Sequence, residues 1–215
     1  MSEELRTLLY PLGVLPLFFF SGRFLVQWLM SEWEHRCVVP KLFWILSFAG
    51  HFLMMFHSGI QLQYHVGVTQ ACSGVIAWRN LNLMGPDEKK LKTSSTMLIF
   101  ASIVFLVTLY FWMEGVWFRS PQLPGGFVTA ELTWGWHLFG TLGLLLFSAR
   151  FVVQWIQAEF LQKSVLSSTF WWISIVGNSM TLVYFFFLKD PINFIGPLFA
   201  MVPYIRNLVL IKRST

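Results

Sequence analysis

Charged residues are scarce in this chain. Asp, Glu, Lys and Arg together make up 12% of its 215 residues, whereas about 25% is usual in soluble domains. Apolar residues account for 56% of the sequence and aromatic residues for 18%, and so much apolar area needs lipid to cover it. The shortage of charge therefore excludes a soluble domain and predicts a polytopic membrane protein of the all-α class.

Cysteine is almost absent as well. Cys37 and Cys72 are the two cysteines, and without CxxC spacing they support neither a disulfide framework nor a metal site. The histidines also lack the spacing of metal ligands. The sequence contains no nucleophile elbow, no phosphate-binding glycine loop and no paired carboxylates. We therefore predict no catalytic residue, no metal and no cofactor.

Long apolar runs are what the sequence has in place of charge. A membrane-spanning helix needs about 20 mostly apolar residues. Seven segments qualify, at about 9–31, 42–60, 65–83, 96–113, 134–157, 169–188 and 192–211. The third segment is the least hydrophobic of the seven.

An internal repeat is the strongest signal. Shifting the sequence by 127 residues aligns positions 12–83 with 139–210 without a gap, and 21 of the 72 pairs are identical. Shared lipid-like composition would match Leu and Phe, but the identical pairs also include Arg, Gln, Glu, Ser and Asn. The sequence therefore predicts a duplicated three-helix unit.

The repeats define the predicted organisation. We assign residues 9–83 to repeat 1 and residues 132–211 to repeat 2. Residues 84–131 form a cytoplasmic connector, a linker helix at about 96–113 and an outer loop over 114–131. Because the linker helix adds a fourth crossing, both repeats face the same way, as a parallel pair in a 3-1-3 arrangement.

The distribution of Lys and Arg predicts the orientation. One side carries Arg36, Lys41, Lys89, Lys90, Lys92, Lys163, Lys212 and Arg213, and the other carries Arg6, Arg119 and Lys189. The N-terminus is therefore predicted outside and the C-terminus in the cytoplasm. Because the net charge of +5 follows this topology, no nucleic-acid partner is predicted.

Two arginines lie inside predicted spans. Arg23 and Arg150 occupy equivalent positions, and Gln27 and Gln154 follow one helical turn later. A charged Arg in a membrane helix is costly and often marks a ligand or pathway. No acidic residue lies at the same depth, so these four residues are candidate ligands of an anionic lipid. The alternative is that the arginines reach the headgroups or bond to glutamine and backbone carbonyls.

Two carboxylates lie at the inner ends of the same helices. Glu32 and Glu159 are predicted to form structural ion pairs with Arg79 and Arg206, respectively, at the end of the third helix of each repeat.

The second helix of each repeat carries small and polar residues. Ser47 and His51 share a face, as do Ser174 and Asn178, and such residues usually serve helix packing. The alternative is a polar pocket between the two bundles that would bind a sugar, lined by Trp44, His51, Trp171 and Asn178.

These motifs resemble a known family. The run RFLVQWLMSEWEHRCVVPKLFWILSFAG and the later WRNLNL resemble the lipid A biosynthesis N-terminal domain. The second copy lacks the proline of the turn at Arg36–Pro40. Two copies with a linker helix are most similar to the membrane extension of chlamydial lipid-A-disaccharide synthases, and the chain ends where their glycosyltransferase would begin.

The resemblance implies a role in lipid A biosynthesis. It implies a non-catalytic module that binds phospholipid or a lipid A precursor and anchors or serves a cytosolic glycosyltransferase. The 3-1-3 plan is also similar to PQ-loop and SWEET proteins, so the alternative is a transporter or flippase of a sugar or lipid-linked sugar. Self-association into a homo-oligomer stays open.

Overall fold

The computed structural model describes residues 2–117, 132–188 and 191–214. Within these ranges the protein has seven long helices and no strand, which confirms the predicted all-α class. The predicted outer loop lies outside the described residues from position 118 onward, as do Arg119 and Lys189.

The first part of the chain contains five α-helices. They are α1 Glu3–Leu8, α2 Leu15–Trp33, α3 Lys41–Gln61, α4 Tyr64–Leu83 and α5 Thr93–Glu114. Two short 3₁₀ helices, Tyr10–Val14 and Asp87–Lys89, precede α2 and α5. Ser2 caps α1, because its hydroxyl accepts a hydrogen bond from the Leu5 amide.

The second part contains three long helices, α6 Trp134–Leu161, α7 Ser168–Leu188 and α8 Pro191–Ser214. All seven predicted segments coincide with helices to within a few residues at most ends. The first differs most, because its opening residues form the 3₁₀ helix around Pro11 and the α-helix begins at Leu15. The short α1 was not predicted.

Five helices are long and apolar enough to cross a membrane, judged by length and composition. The first is Glu4–Trp33, which runs from α1 through the following 3₁₀ helix to the end of α2. The others are α3 Lys41–Gln61, α5 Thr93–Glu114, α6 Trp134–Leu161 and α7 Ser168–Leu188. Within the residues that the structure describes, the third helix of each repeat, α4 or α8, does not meet this criterion. Both contain an Arg-Asn pair, and α8 also has Pro197 and Pro203. Seven spans in a 3-1-3 plan thus remain a prediction.

The described residues form two compact units. Unit 1 contains residues 2–23, 40–117 and 162–164, and unit 2 contains residues 24–39, 132–161, 165–188 and 191–214. The boundary falls inside α2, whose first half belongs to unit 1 and whose second half belongs to unit 2. The repeat boundaries read from the sequence stay a prediction.

Aromatic side chains form the core of each unit. In unit 1, Phe43 and Trp44 meet edge to face with ring centroids 4.9 Å apart. In unit 2, the equivalent Phe170 and Trp171 meet in the same way at 5.0 Å. All four side chains are buried. This edge-to-face geometry is favoured by the ring quadrupoles.

The duplication also recurs in the backbone and in local hydrogen bonds. His35 after α2 and Gln162 after α6 are equivalent positions and have φ values of 52° and 50°. The Gln27 amide donates to the Val38 carbonyl at 3.2 Å, and Gln154 donates to the Val165 carbonyl at 3.2 Å. The two copies therefore share their turn geometry as well as their sequence.

Candidate functional site

Two guanidinium groups are buried at the equivalent positions 23 and 150. Arg23 is 5% exposed and Arg150 is 2% exposed. Each extends from the helix that begins its repeat, and each has a phenylalanine three residues earlier, Phe20 or Phe147, beneath its guanidinium. The sequence predicted the two arginines, but their surroundings differ.

Arg23 lies in a hydrogen-bonded chain within unit 1. Its Nη1 donates to Ser47 Oγ at 3.1 Å and contacts His51 Nε2 at 3.3 Å. Because arginine only donates, His51 Nε2 must accept, which leaves the proton on Nδ1. His51 Nδ1 then donates to Gln70 Oε1 at 2.6 Å. Both hydrogen bonds are therefore donated in the same sense, from Arg23 to His51 and from His51 to Gln70.

Arg150 lies in a cage of aromatic rings within unit 2. Its Cζ is 3.3 Å from the ring centroid of Phe147, 4.8 Å from Phe151, 5.8 Å from Phe170 and 5.7 Å from Tyr204. Among the described residues, Arg150 Nε and Nη1 have no hydrogen-bond partner, and neither does the Tyr204 hydroxyl. No carboxylate in that part of the chain forms a salt bridge with Arg150.

The difference between the two arginines follows from three substitutions between the repeats. Asn178 stands where repeat 1 has His51, and its Nδ2 donates to the Pro197 carbonyl at 2.7 Å. Pro197 itself replaces Gln70 and has no side-chain amide. Tyr204 replaces Ala77 and brings a ring toward Arg150. Repeat 2 thus replaces the polar chain with an aromatic surface.

The predicted ion pairs are corrected by the structure. Both the Nε and Nη2 of Arg206 donate to the Glu32 carboxylate, the second at 2.7 Å. Glu32 therefore pairs with the third helix of repeat 2, whereas the sequence assigned it to Arg79 of its own repeat and assigned Arg206 to Glu159. The physical reason is the division of α2, whose second half packs in unit 2 together with α8.

Arg79 and Glu159 have other contacts. The Nη1 of Arg79 donates to Asn82 Oδ1 at 2.7 Å and to the Leu91 carbonyl at 2.8 Å, so it holds the connector against the end of α4. The Glu159 carboxylate accepts a hydrogen bond from Trp155 Nε1 at 2.9 Å. The same bond occurs in repeat 1, from Trp28 to Glu32.

Gln27 is fully buried and bonded to protein partners. Gln27 and Asn207 exchange two amide hydrogen bonds, of 2.7 and 3.0 Å. The Gln27 amide nitrogen also lies within hydrogen-bond distance of Ser31 Oγ and of the Val38 carbonyl of the following turn, so its two N–H groups are shared among three acceptors. In that turn, burial raises the pKa of the Cys37 thiol to about 11. Contact of Gln27 or Gln154 with lipid stays a prediction.

An apolar cavity of about 440 Å³ lies in unit 1 between α3, α4 and α5. His51 and Gln70 are on its wall, whereas Trp44 is buried elsewhere. In unit 2, Trp171 and Asn178 are also completely buried. The pocket predicted from Trp44, His51, Trp171 and Asn178 stays a prediction. Among the described residues there is no group of His, Cys, Asp or Glu that could hold a metal ion.

Sequence reasoning missed Gln70, Tyr204 and the aromatic residues around each arginine. A signal for the aromatic residues was present, because Phe20/Phe147, Phe24/Phe151 and Phe43/Phe170 are all identical pairs in the repeat alignment. Gln70 and Tyr204 differ between the repeats, so the alignment gave no signal for them.

Comparison with known families identifies the repeated unit. The family model described as Lipid A Biosynthesis N-terminal domain matches residues 12–82 and again residues 139–209. The chain belongs to this family. The two matches are 127 residues apart, which is the register of the predicted repeat, so the predicted family resemblance is confirmed.

The Lipid A Biosynthesis N-terminal domain pair also occurs in longer relatives. The chain is 35% identical to a lipid-A-disaccharide synthase of Chlamydia abortus over 97% of its own length and 34% of the relative's. It is 37% identical to the Chlamydia pneumoniae enzyme over 97% of its own length and 35% of the relative's. It therefore spans about a third of the length of these relatives. No solved structure matches the chain.

Each Lipid A Biosynthesis N-terminal domain of this chain contains one buried arginine of the candidate site. Arg23 falls in the first matched range and Arg150 in the second. Family membership implies involvement in lipid A biosynthesis, and the apolar helices suggest association with a membrane.

Proposed function

We propose that this chain is a membrane module of lipid A biosynthesis that binds the anionic headgroup of a lipid. The observation that carries the proposal is Arg150, whose guanidinium is buried without a carboxylate among the described residues. An uncompensated buried charge is strongly destabilising. An anion bound beside Arg150 would remove that cost.

The donors around Arg150 suit a phosphate or a carboxylate. Two guanidinium N–H groups without partners can form parallel hydrogen bonds to two oxygens of one anion. The Tyr204 hydroxyl, which also has no partner among the described residues, supplies a further donor. The rings of Phe147 and Phe151 stabilise the cation and exclude water. The headgroup would come from a phospholipid or from an acylated glucosamine phosphate.

Arg23 is the second proposed headgroup ligand. Its guanidinium lies over the Phe20 ring, with Cζ 4.9 Å from the ring centroid, and forms hydrogen bonds to Ser47 and His51. Ser47 and His51 are neutral acceptors for its N–H donors, and the guanidinium keeps its positive charge in a buried position. Gln27 and Gln154 belong to the proposal as residues that orient the same helices.

The proposed topology has seven spans, with the N-terminus outside and the C-terminus in the cytoplasm of a bacterial inner membrane. Five helices already meet the length and hydropathy criteria, and the Lys and Arg distribution supports the orientation. The two parallel repeats would then resemble SWEET and PQ-loop proteins in arrangement.

The proposed partner is a cytosolic glycosyltransferase of lipid A biosynthesis. The relatives that share the module are named lipid-A-disaccharide synthase and extend well beyond it. We therefore propose that the module presents or retains lipid for such an enzyme and does not transfer sugar itself. A cytoplasmic C-terminus would place it on the side of that partner.

Native mass spectrometry of the purified chain in mixed phospholipids tests the headgroup proposal. We expect Arg150→Gln to lower the retained anionic lipid about tenfold, because two charge-assisted hydrogen bonds are lost. Arg36→Gln is the matched control, since Arg36 is exposed and pairs with Glu34 in a loop. Unchanged retention in Arg150→Gln, or an equal loss in both variants, would contradict the proposal.

The alternative function is transport of a sugar or lipid-linked sugar. His51 on the wall of a cavity favours it. Most of that cavity is apolar, however, and a sugar needs hydrogen-bond partners for several hydroxyl groups. Counterflow of a sugar into proteoliposomes that is abolished by His51→Ala and unaffected by Arg150→Gln would favour the alternative.

A further inference from the structure

The cavity in unit 1 exists because of residues that repeat 2 does not share. Ala71 and Gly74 lie on its wall, and the equivalent positions in repeat 2 hold the larger Leu198 and Met201. The linker helix α5 forms another side of the cavity, through residues such as Ile103 and Leu106. The small residues at these wall positions therefore distinguish the first repeat from the second.

The chemistry of the wall specifies the occupant. Most of the lining side chains are hydrocarbon, and His51, Gln70 and Trp78 are the ones with a nitrogen or oxygen atom. Since Gln70 Oε1 accepts from His51, the amide nitrogen of Gln70 is still available as a donor, and it has no hydrogen bond among the described residues. A ligand that fits has a hydrocarbon body and one hydrogen-bond acceptor, such as an acyl carbonyl.

The cavity also reaches the surface of unit 1. Its lining residues Phe48, Phe52 and Leu106 are 39%, 48% and 60% exposed. Two of the helices that form it, α3 and α5, are long and apolar enough to cross a membrane. In a bilayer the surrounding medium would be the hydrocarbon chains of glycerophospholipids, which can enter without crossing water.

We propose that this cavity binds one acyl chain of a bilayer glycerophospholipid, with the chain against α5 and the ester carbonyl accepting a hydrogen bond from the Gln70 amide. Its volume of about 440 Å³ is in the range of specific ligand pockets. The linker helix then does more than connect the repeats, because it supplies one side of a lipid-binding site. The proposal requires the membrane placement given above and is independent of Arg150.

Photolabelling of the full chain in nanodiscs tests the site. The probe is phosphatidylglycerol with a diazirine on one acyl chain, diluted in phosphatidylcholine, and the labelled peptides are identified by mass spectrometry. We expect labels on α3, α4 and α5 at the cavity wall. Gly74→Met should lower this labelling about tenfold, because the new side chain takes the place of buried hydrocarbon.

The variants are chosen so that folding is preserved. A Cβ at position 74 would meet one neighbour, His51 Cβ, at an ordinary 3.6 Å, and methionine is the residue of repeat 2. Gly135→Met is the matched control, since nothing lies within 4 Å of a Cβ there, and it should label like the parent chain. Gln70→Leu keeps the shape of the wall and should lower labelling through loss of the donor.

The other possible results either contradict the proposal or distinguish this cavity from the proposed headgroup site at Arg150. Unchanged labelling in both Gly74→Met and Gln70→Leu would overturn it, as would labels confined to other helices. If an equimolar acylated glucosamine phosphate displaces the label, the assignment to glycerophospholipid is wrong. Arg150→Gln should leave this labelling intact, so failure of either proposal is seen without the other.

Discussion

At the residue scale, the environment of a buried arginine is decided by its neighbours on other helices. Arg23 and Arg150 lie in similar local sequences, SGRFLVQW and SARFVVQW. Gln70 and His51 extend a polar chain around the first, whereas Pro197 and Asn178 do not do so around the second. A guanidinium without polar partners is a stronger indication of an external anion than a guanidinium within a hydrogen-bonded chain.

The partner of Glu32 gives a prediction at the same scale. Glu32→Gln should lower the melting temperature in detergent, because it breaks a bidentate contact with Arg206. Adding Arg206→Gln to that variant should lower the melting temperature little further, since the contact is already lost. Adding Arg79→Gln should instead produce a separate loss, because Arg79 holds the connector through Asn82 and Leu91.

The reversed pair is the control for this cycle. Glu32→Arg combined with Arg206→Glu should recover part of the stability that either single reversal loses. Coupling between positions 32 and 79, with none between 32 and 206, would show that the pairing within the repeat was right after all.

At the element scale, glycines allow α6 and α7 to approach closely. A Cβ at Gly177 would lie 2.7 Å from the Phe147 amide nitrogen and 3.1 Å from the Gly143 carbonyl oxygen. These are backbone atoms and cannot move without moving the helix. Small residues at such crossings are typical of helix packing in membranes. Here Gly177 also allows the backbone of Phe147, the residue beneath Arg150, to lie close to α7.

We expect Gly177→Ala to lower the free energy of unfolding by about 1–3 kcal/mol, the usual cost of overpacking. Because Phe147 would shift, the variant should also retain less anionic lipid. Gly59→Ala is the matched control: its Cβ would meet Tyr110 at an ordinary 3.5 Å, and it should be neutral or slightly stabilising. Denaturation in mixed micelles measures both. Equal stability of the two variants would show that α6 and α7 can separate freely.

At the scale of the whole molecule, the number of crossings turns on α4 and α8. Both helices are formed, with 20 and 24 residues, but their polar residues keep them below the hydropathy of the other spans. Arg79 and Asn80 are completely buried within the protein. A helix that hides its polar groups in this way can present an apolar surface to lipid despite a modest mean hydropathy.

Reporter fusions test the seven-span topology. Fusions after Gln63 and after Gly85, on the two sides of α4, should report opposite compartments, with Gly85 cytoplasmic. Fusions after Leu188 and at the C-terminus should likewise differ. The expectation follows from a span length of about 20 residues and from the lysines of the connector. If both members of a pair report the same compartment, the helix between them does not cross.

The sequence by itself determined the helical class, the family and the repeat. Hydrophobic segment length, the 127-residue register and the Arg, Gln, Glu and Asn matches are local or in-register features, so a single chain records them completely. It also located Arg23 and Arg150, because a charge inside an apolar segment stands out against its neighbours.

Only the tertiary structure decided which copy supplies each partner. Duplication gives Glu32 two chemically identical partners, Arg79 and Arg206, and no property of the sequence ranks them. The choice of Arg206 follows from α2, whose second half packs in unit 2 together with α8. The cavity beside Gln70 is likewise tertiary, because it needs three helices and the small residues Ala71 and Gly74 on its wall.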